Sequence, residues 1–256
     1  MIEILLESPW FLVINKPSGI LTQAVPGIHS VQTQLLTQLR DRDPESPTPF
    51  IGVPHRLDRV TSGAMVIARN QRALRRLSDQ FATRKVNKIY HAMVPRIMEA
   101  VEVRWQDTMR KVPHEARAEL ATATDEGAKE AILRFHVIWQ LFLSDQEPVS
   151  LVEIELETGR MHQIRLQFAS HGHPILGDQL YGSKVEWLGN RRANENLRLH
   201  CTLEKLSFGI HKMPSWFPSK RHIQRAGRSN LNDANDLKRA FPSGSSQWRL
   251  SWQSVE

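Results

Sequence analysis

Apolar and polar residues alternate along WFLVINKP (residues 10–17), with β-branched positions up to Pro17, which predicts a strand; PSG (17–19) predicts a turn after it. The period then changes. Val31, Leu35, Leu36 and Leu39 fall on one helical face behind Ser30, a good cap, so a helix is expected through about Arg40. DRDPESPTP (41–49) reads as a proline-broken loop, FIGVP (50–54) as a short strand and AMVIARN (64–70) as a second apolar strand. Asn70 can cap the helix QRALRRLSDQFATRK, whose Leu74, Leu77 and Phe81 keep helical spacing. VNKIYHAMV (86–94), EARAELATA (115–123), AILRFHVIWQLFL (131–143) and VSLVEIELETG (149–159) alternate as strands. A helix is expected over 161–171, stopped by Gly172, and another strand within 196–208. Many strands, few helices and short connections point to an α+β fold with a mostly antiparallel sheet. No internal repeat is visible. After about Pro218 the chain turns polar and basic with little hydrophobic periodicity, so residues 1–218 read as the folded domain and 219–256 as an extension. That extension either adds RNA contacts or is an idle tail.

Composition narrows the function classes. The chain has 256 residues, 40% hydrophobic and 24% charged, which suits a globular protein. No apolar run reaches the ~18 residues of a membrane span, and acidic Glu3 and Glu7 precede the first apolar run, unlike a signal peptide. A single cysteine, Cys201, excludes an internal disulfide and a multi-cysteine metal site and fits a reducing, cytoplasmic setting. The balance of 34 basic against 27 acidic residues, net +7, suits a polyanionic partner. The charge is concentrated on the second helix. There Arg72, Arg75, Arg76, Arg84 and Lys85 meet only Asp79, whereas an idle solvated face usually mixes signs.

The chain lacks a phosphate loop, a GxGxxG turn, HExxH and a GxSxG elbow. HQIRLQFASHGH (162–173) holds three histidines, but their spacing does not make a metal site. What remains is arginine–aspartate chemistry. HRLDRVTSG (55–63) places Asp58 between Arg56 and Arg59 just before a tight reversal, and TGRMHQIR (158–165) supplies Arg160 and Arg165. If Arg165 folded against Asp58 it would favour the carboxylate, fitting a nucleophile or base rather than an acid; the alternative is a structural buried pair.

HRLDRVTSG resembles the signature of the RluA family of RNA pseudouridine synthases. NKPSGILT (15–22), KIYHAMV (88–94), TGRMHQIRLQFASHGHPILGDQLYG (158–182) and LRLHCTLEKLSF (197–208) resemble further blocks of that family, in family order. Gln167 stands where the family commonly has histidine. The family's small accessory RNA-binding domain has no counterpart before residue 10.

The resemblance implies the pseudouridine synthase fold, a mixed, mostly antiparallel sheet with flanking helices around a central active-site cleft. It implies isomerisation of uridine in RNA, with no cofactor and no metal. Asp58 would be the reacting carboxylate, Arg165 its partner, and Tyr90 the ring that stacks on uracil near the last proton removed. Arg56 would fill the space left by a flipped nucleotide. Arg59, Lys88, Arg160 and the basic helix residues Arg72, Arg75 and Arg76 would contact RNA. His55 and His162 would hold the RNA-facing loops by hydrogen bonds, and Leu166 would line the base pocket. The expected partner is a structured tRNA or rRNA stem-loop, bound by a monomer away from membranes. The competing reading is a catalytically silent RNA-binding protein of the same fold. A glycoside hydrolase fits poorly, because such enzymes ordinarily use two carboxyl groups and no second acidic motif is present.

Overall fold

The alternating segments pair into one sheet. The computed structural model describes residues 1–99, 102–141, 148–184 and 199–204. Nine strands form the sheet: β1 (Glu3–Glu7), β2 (Phe11–Lys16), β3 (Ser62–Ala68), β4 (Asn87–Pro95), β5 (Val103–Lys111), β6 (Ala118–Leu120), β7 (Lys129–Leu141), β8 (Val149–Leu156) and β9 (Leu199–Glu204). Their order is β1-β2-β3-β9-β4-β8-β7-β5-β6. Only the β3–β9 pairing is parallel, so the mostly antiparallel mixed sheet is as expected. The compact unit runs Met1–Phe208 and contains every described residue. The expected extension over 219–256 and its boundary at 218 lie outside the described residues.

Helices α1 (Val31–Arg42), α2 (Gln71–Ala82) and α3 (Gln163–Ser170) start where local chemistry dictates. Ser30 Oγ accepts from Thr33 N while Thr33 Oγ1 accepts from Ser30 N, a reciprocal cap, and Asn70 Oδ1 accepts from Ala73 N. The apolar faces go inward: Val31, Leu35 and Leu39 of α1 and Ala73 and Leu77 of α2 join Leu12, Ile14, Met65 and Ile67 of the sheet in the main core. Among the described residues no helix is long and apolar enough to cross a membrane.

Three segments differ from the sequence reading. Residues 50–54 make one bridge, Gly52 to Ala68, rather than a strand, because Pro49 and Pro54 remove ladder donors on either side. The strand expected over 115–123 shrinks to three residues, Ala118–Leu120. Strand β5 was not anticipated: Val103, Trp105 and Met109 alternate, but Asp107 interrupts the apolar row. Asp107 accepts from Gln167 Nε2 at 2.7 Å and pairs with His171 at 3.1 Å, which satisfies the interruption. Gln167 thus ties α3 to β5.

Candidate active site

The loop before β3 is built on a template. Residues 57–61 run beside 16–22, and several polar groups bond across. Thr22 Oγ1 donates to Leu57 O (2.8 Å), Gly19 N to Arg59 O (2.8 Å), Ser18 Oγ to Val60 O (2.6 Å), and Arg59 Nε to Gly19 O (2.9 Å). Lys16 is fully buried, and its ammonium donates to the carbonyls of Pro17, Arg59 and Thr61 at 2.8–3.1 Å. Burial pushes the Lys16 pKa down to about 8, against the opposing pull of the Asp58 charge. Thr61 N donates back to Asp58 O at 3.1 Å, closing the turn that displays the carboxylate, and Gly63 at φ 128° takes the reversal into β3.

From the far side, α3 and the segment after it complete the site. Arg165, 6% exposed at its side chain, brings Nη1 to 3.8 Å from Asp58 Oδ2. Its shorter bonds go elsewhere. Nε and Nη2 donate to the two oxygens of buried Asp178 at 2.7 and 2.8 Å. The expected Asp58–Arg165 contact therefore exists, but as the longer arm of a shared guanidinium, because Asp178 sits closer and presents both oxygens. Burial works against the Arg165 charge, and the hydrogen bonds and charge of Asp178, then Asp58, outweigh it and hold the pKa above its ordinary value.

His162, in the left-handed region at φ 53°, places Nε2 3.8 Å from Asp58 Oδ2 and Nδ1 2.9 Å from Tyr181 Oη. Burial pushes its pKa below the ordinary value, opposed by Asp58 and helped by Arg165. A neutral imidazole is therefore the partner Asp58 meets at neutral pH. Tyr181 lies over the Arg165 guanidinium, 5.1 Å from its centroid, and its hydroxyl accepts from Ala118 N at 2.9 Å.

Tyr90 is 8% exposed in the main core on β4. The sheet register relates it to the strand that follows the Asp58 loop. Gly63 on β3 and Tyr90 on β4 both pair with Cys201 on β9, so the three stand in one row spanning about 10 Å. Lys88 is two residues before Tyr90, and a Cβ added to Gly159 would lie 3.0 Å from its Nζ, so the TGR turn passes close to that ammonium.

The other expected site residues divide into two groups. His55 faces inward: Nε2 accepts from Val66 N at 3.0 Å and the ring stacks on Phe81 at 4.1 Å. Burial, then the Lys88 charge, pushes its pKa down to about 3, so it is a neutral brace for the loop. Leu166 packs with Met109, Ala118 and Ala131 beside Tyr181, 8% exposed. Arg160 Nε donates to Glu130 O at 2.8 Å. Arg56, Arg59, Arg72, Arg75 and Arg76 are exposed, and among the described residues none of these five forms an ion pair, in contrast to Arg104 and Arg134, which share Glu157. Reading the sequence missed Lys16, Asp178 and Tyr181 as members of the site. The signal was present for the last two, since both belong to the GDQLYG block that follows α3.

The arrangement holds one partly exposed carboxylate, 20% accessible, beside a buried cation and a neutral imidazole. Among the described residues the second carboxyl group of this set, Asp178, is 2% exposed and committed to Arg165.

Comparison with known proteins bears on the family and the fold. The sequence model of the RNA pseudouridylate synthase family matches residues 10–170. A dual-specificity RNA pseudouridine synthase RluA of Vibrio parahaemolyticus is 32% identical over 218 residues, covering 85% of this chain and 81% of that protein. An RNA pseudouridine synthase of Aquifex aeolicus is 34% identical over 185 residues, 72% of this chain but 57% of that protein. A ribosomal large subunit pseudouridine synthase D of Xylella fastidiosa is 34% identical over 72% of this chain and 53% of its own length, so the chain spans little more than half of these last two relatives. The solved structure of human RNA pseudouridylate synthase domain containing 1 superposes with a TM-score of 0.63 at 26% identity, covering 82% of this chain and 80% of that one.

Proposed function

The chain belongs to the RluA family of RNA pseudouridine synthases, and on that footing we propose that it isomerises uridine to pseudouridine within a structured RNA, using Asp58 as the reacting carboxylate. The bond between the ribose and uracil nitrogen breaks, the base turns, and a bond forms from the same ribose carbon to carbon five of uracil. The proton leaving carbon five is balanced by one gained at the freed nitrogen, so no oxidant, cofactor or metal is required. The observation that carries this reading is the partly exposed Asp58 carboxylate, fixed on its template with Arg165 and His162 each 3.8 Å from one oxygen.

The roles we infer are those that the family resemblance implies. Asp58 acts on the ribose. Arg165 steadies its charge. Tyr90 stacks on the uracil. A stacked uridine must first leave its helix, at a cost of a few kcal/mol, and exposed Arg56 beside Asp58 fills the vacated place. Arg59, Arg160, Lys88 and the arginines of α2 hold the phosphate backbone. His55 and His162 hold the loops that face the RNA, and Leu166 backs the base pocket from beneath. The substrate is a tRNA or rRNA stem-loop, in keeping with relatives named for dual specificity and for the large ribosomal subunit.

The experiment is release of tritium from RNA labelled at carbon five of uracil, with wild type beside Asp58→Asn. Release by the wild type alone, with both proteins binding RNA, is the expected result. Equal release by Asp58→Asn would remove Asp58 from the chemistry. Binding without release on a panel of tRNA and rRNA fragments would favour a silent RNA-binding protein.

A further inference from the structure

Phe50 is an aromatic side chain left 40% exposed, outside the main core and outside the proposed chemistry. It is nevertheless held in place. Pro49 precedes it with a fixed φ, and two residues on Gly52 exchanges both backbone hydrogen bonds with Ala68 at the end of β3, at 2.8 and 2.9 Å. The ring occupies the place of a side chain at residue 52: a Cβ there would lie 2.7 Å from Phe50 Cε1, 3.1 Å from Leu74 Cδ2 and 3.2 Å from Ala68 Cβ. Gly52 therefore lets the ring settle beside α2. A ring already held gives up little freedom when a flat partner covers it. The surroundings say which partner that is. Arg75 follows Leu74 on α2, with Arg72 and Arg76 close by; all three are exposed and form no ion pair among the described residues. A single RNA strand brings flat apolar faces and phosphates together, the two things this surface matches. The surface is also continuous with the site. Residues 50–56 run along α2, with His55 stacked on Phe81, and end at Arg56 beside Asp58. Gly52 pairs with Ala68 while the Asp58 loop enters β3 at Ser62, a separation of about 20 Å along the strand.

We propose that Phe50 is a stacking platform for an unpaired base of the RNA, some nucleotides away from the modified uridine, with the neighbouring phosphates held by the arginines of α2. This rests on the RNA substrate proposed above. A base inside a helix has both faces covered by its neighbours and offers nothing to the ring, whereas a base splayed from a loop or bulge does. The platform therefore selects a stem-loop that presents such a base at a fixed reach from its target, and it discriminates against an uninterrupted helix.

The test reads binding and needs no turnover. Its probes are a short oligoadenylate strand and a blunt, fully paired RNA duplex of the same length. Phe50→Leu keeps apolar bulk against Gly52 and Leu74 and removes the flat face, while Phe50→Tyr keeps the face. Phe50→Leu raises the Kd for the single strand about tenfold, the scale of one lost base–aromatic stack, and Phe50→Tyr stays within about twofold of wild type. On the duplex all three proteins agree within about twofold. The slope of log K against log salt on the single strand is the same in wild type and Phe50→Leu, because no phosphate contact is lost. Equal Kd values for wild type and Phe50→Leu on the single strand, absence of binding by both included, would overturn the proposal. So would an equal loss on the duplex, which would make Phe50 a support for the fold, or a loss that Phe50→Tyr shares. The two readings fail separately. Tritium release by the wild type with no effect of Phe50→Leu on binding removes the platform alone; the expected difference in binding with no pseudouridine made on any RNA removes the isomerase and leaves the platform.

Discussion

The Lys16 ammonium donates to the Thr61 carbonyl at 2.8 Å across 45 residues of sequence, inside the protein and beneath the turn that presents Asp58. It also holds the carbonyls of Pro17 and Arg59, so a methionine of similar length would leave three acceptors without their donor. Lys16→Met is expected to lower stability by about 2–4 kcal/mol in urea unfolding and to slow turnover further than it weakens RNA binding. The pH dependence gives a second check. The ordinary lysine pKa is 10.5 and the folded one about 8, so between these values the folded chain binds fewer protons than the unfolded chain. Stability from this group therefore rises with pH across that window, by up to about 1.4 kcal/mol per unit, and the rise should vanish in Lys16→Met. An identical alkaline profile in the two proteins would show that the amine is not held as described.

His55 works in the acid range. Its folded pKa of about 3 lies below the ordinary 6.5, so the unfolded chain takes up a proton that the folded chain refuses. The contribution is complete above pH 6.5 and is lost as pH falls toward 3. Glutamine at this position can present a polar atom to Val66 N without titrating. Between pH 6.5 and 4.5, His55→Gln should lose about 2–3 kcal/mol less stability than wild type. Parallel profiles would place the proton on His55 in the folded state.

Tyr90→Phe keeps the ring and deletes the hydroxyl. If the ring stacks on uracil while the hydroxyl serves the last proton transfer, RNA binding should hold within about twofold while product formation drops about 100-fold or more, the range of general acid–base assistance. Full activity would confine Tyr90 to stacking. Loss of binding as well would make the hydroxyl a structural anchor.

Arg72, Arg75 and Arg76 stand exposed on α2 with no acidic partner among the described residues. Replacing all three by glutamine should weaken RNA binding and reduce the slope of log K against log salt by about 2–3, as for three lost phosphate contacts. The rate on saturating RNA should not change. An unaltered slope would show that the RNA does not touch α2.

What could be read before the structure was whatever short-range chemistry decides. Ser30 and Asn70 start helices through bonds to residues three positions on, and the alternation in β2, β4 and β8 is visible in any short window. Asp58 and Arg165 stand out because charged residues cluster in recognisable blocks. Asp178 and Lys16 also lie in recognisable blocks, but their work does not show there, because it is defined by partners across the fold: a guanidinium on α3, carbonyls 43 and 45 residues away. Strand β5 was hidden by Asp107, a polar residue on an otherwise apolar row whose partners, Gln167 and His171, come some 60 residues later. The same reasoning explains why the contact expected between Asp58 and Arg165 is right in kind and incomplete in geometry: the third member of the set is reached only through the turn after α3.

The position of β9 has a consequence for how the molecule comes into being. Residues 199–204 lie between β3 and β4, and within the sheet order nothing else joins the half containing β3, which follows the Asp58 loop, to the half containing β4, which carries Tyr90. Chains emerge from the ribosome at about 5–20 residues per second, N-terminus first. For about 2–10 seconds a growing chain therefore carries two half-sheets with the β3 and β4 edges unpaired, templates for sticking to other nascent chains. Completion of the sheet is thereby deferred until a strand near the two-hundredth residue slots between them, and a chain cut short before it has both half-sheets and no backbone ladder between them.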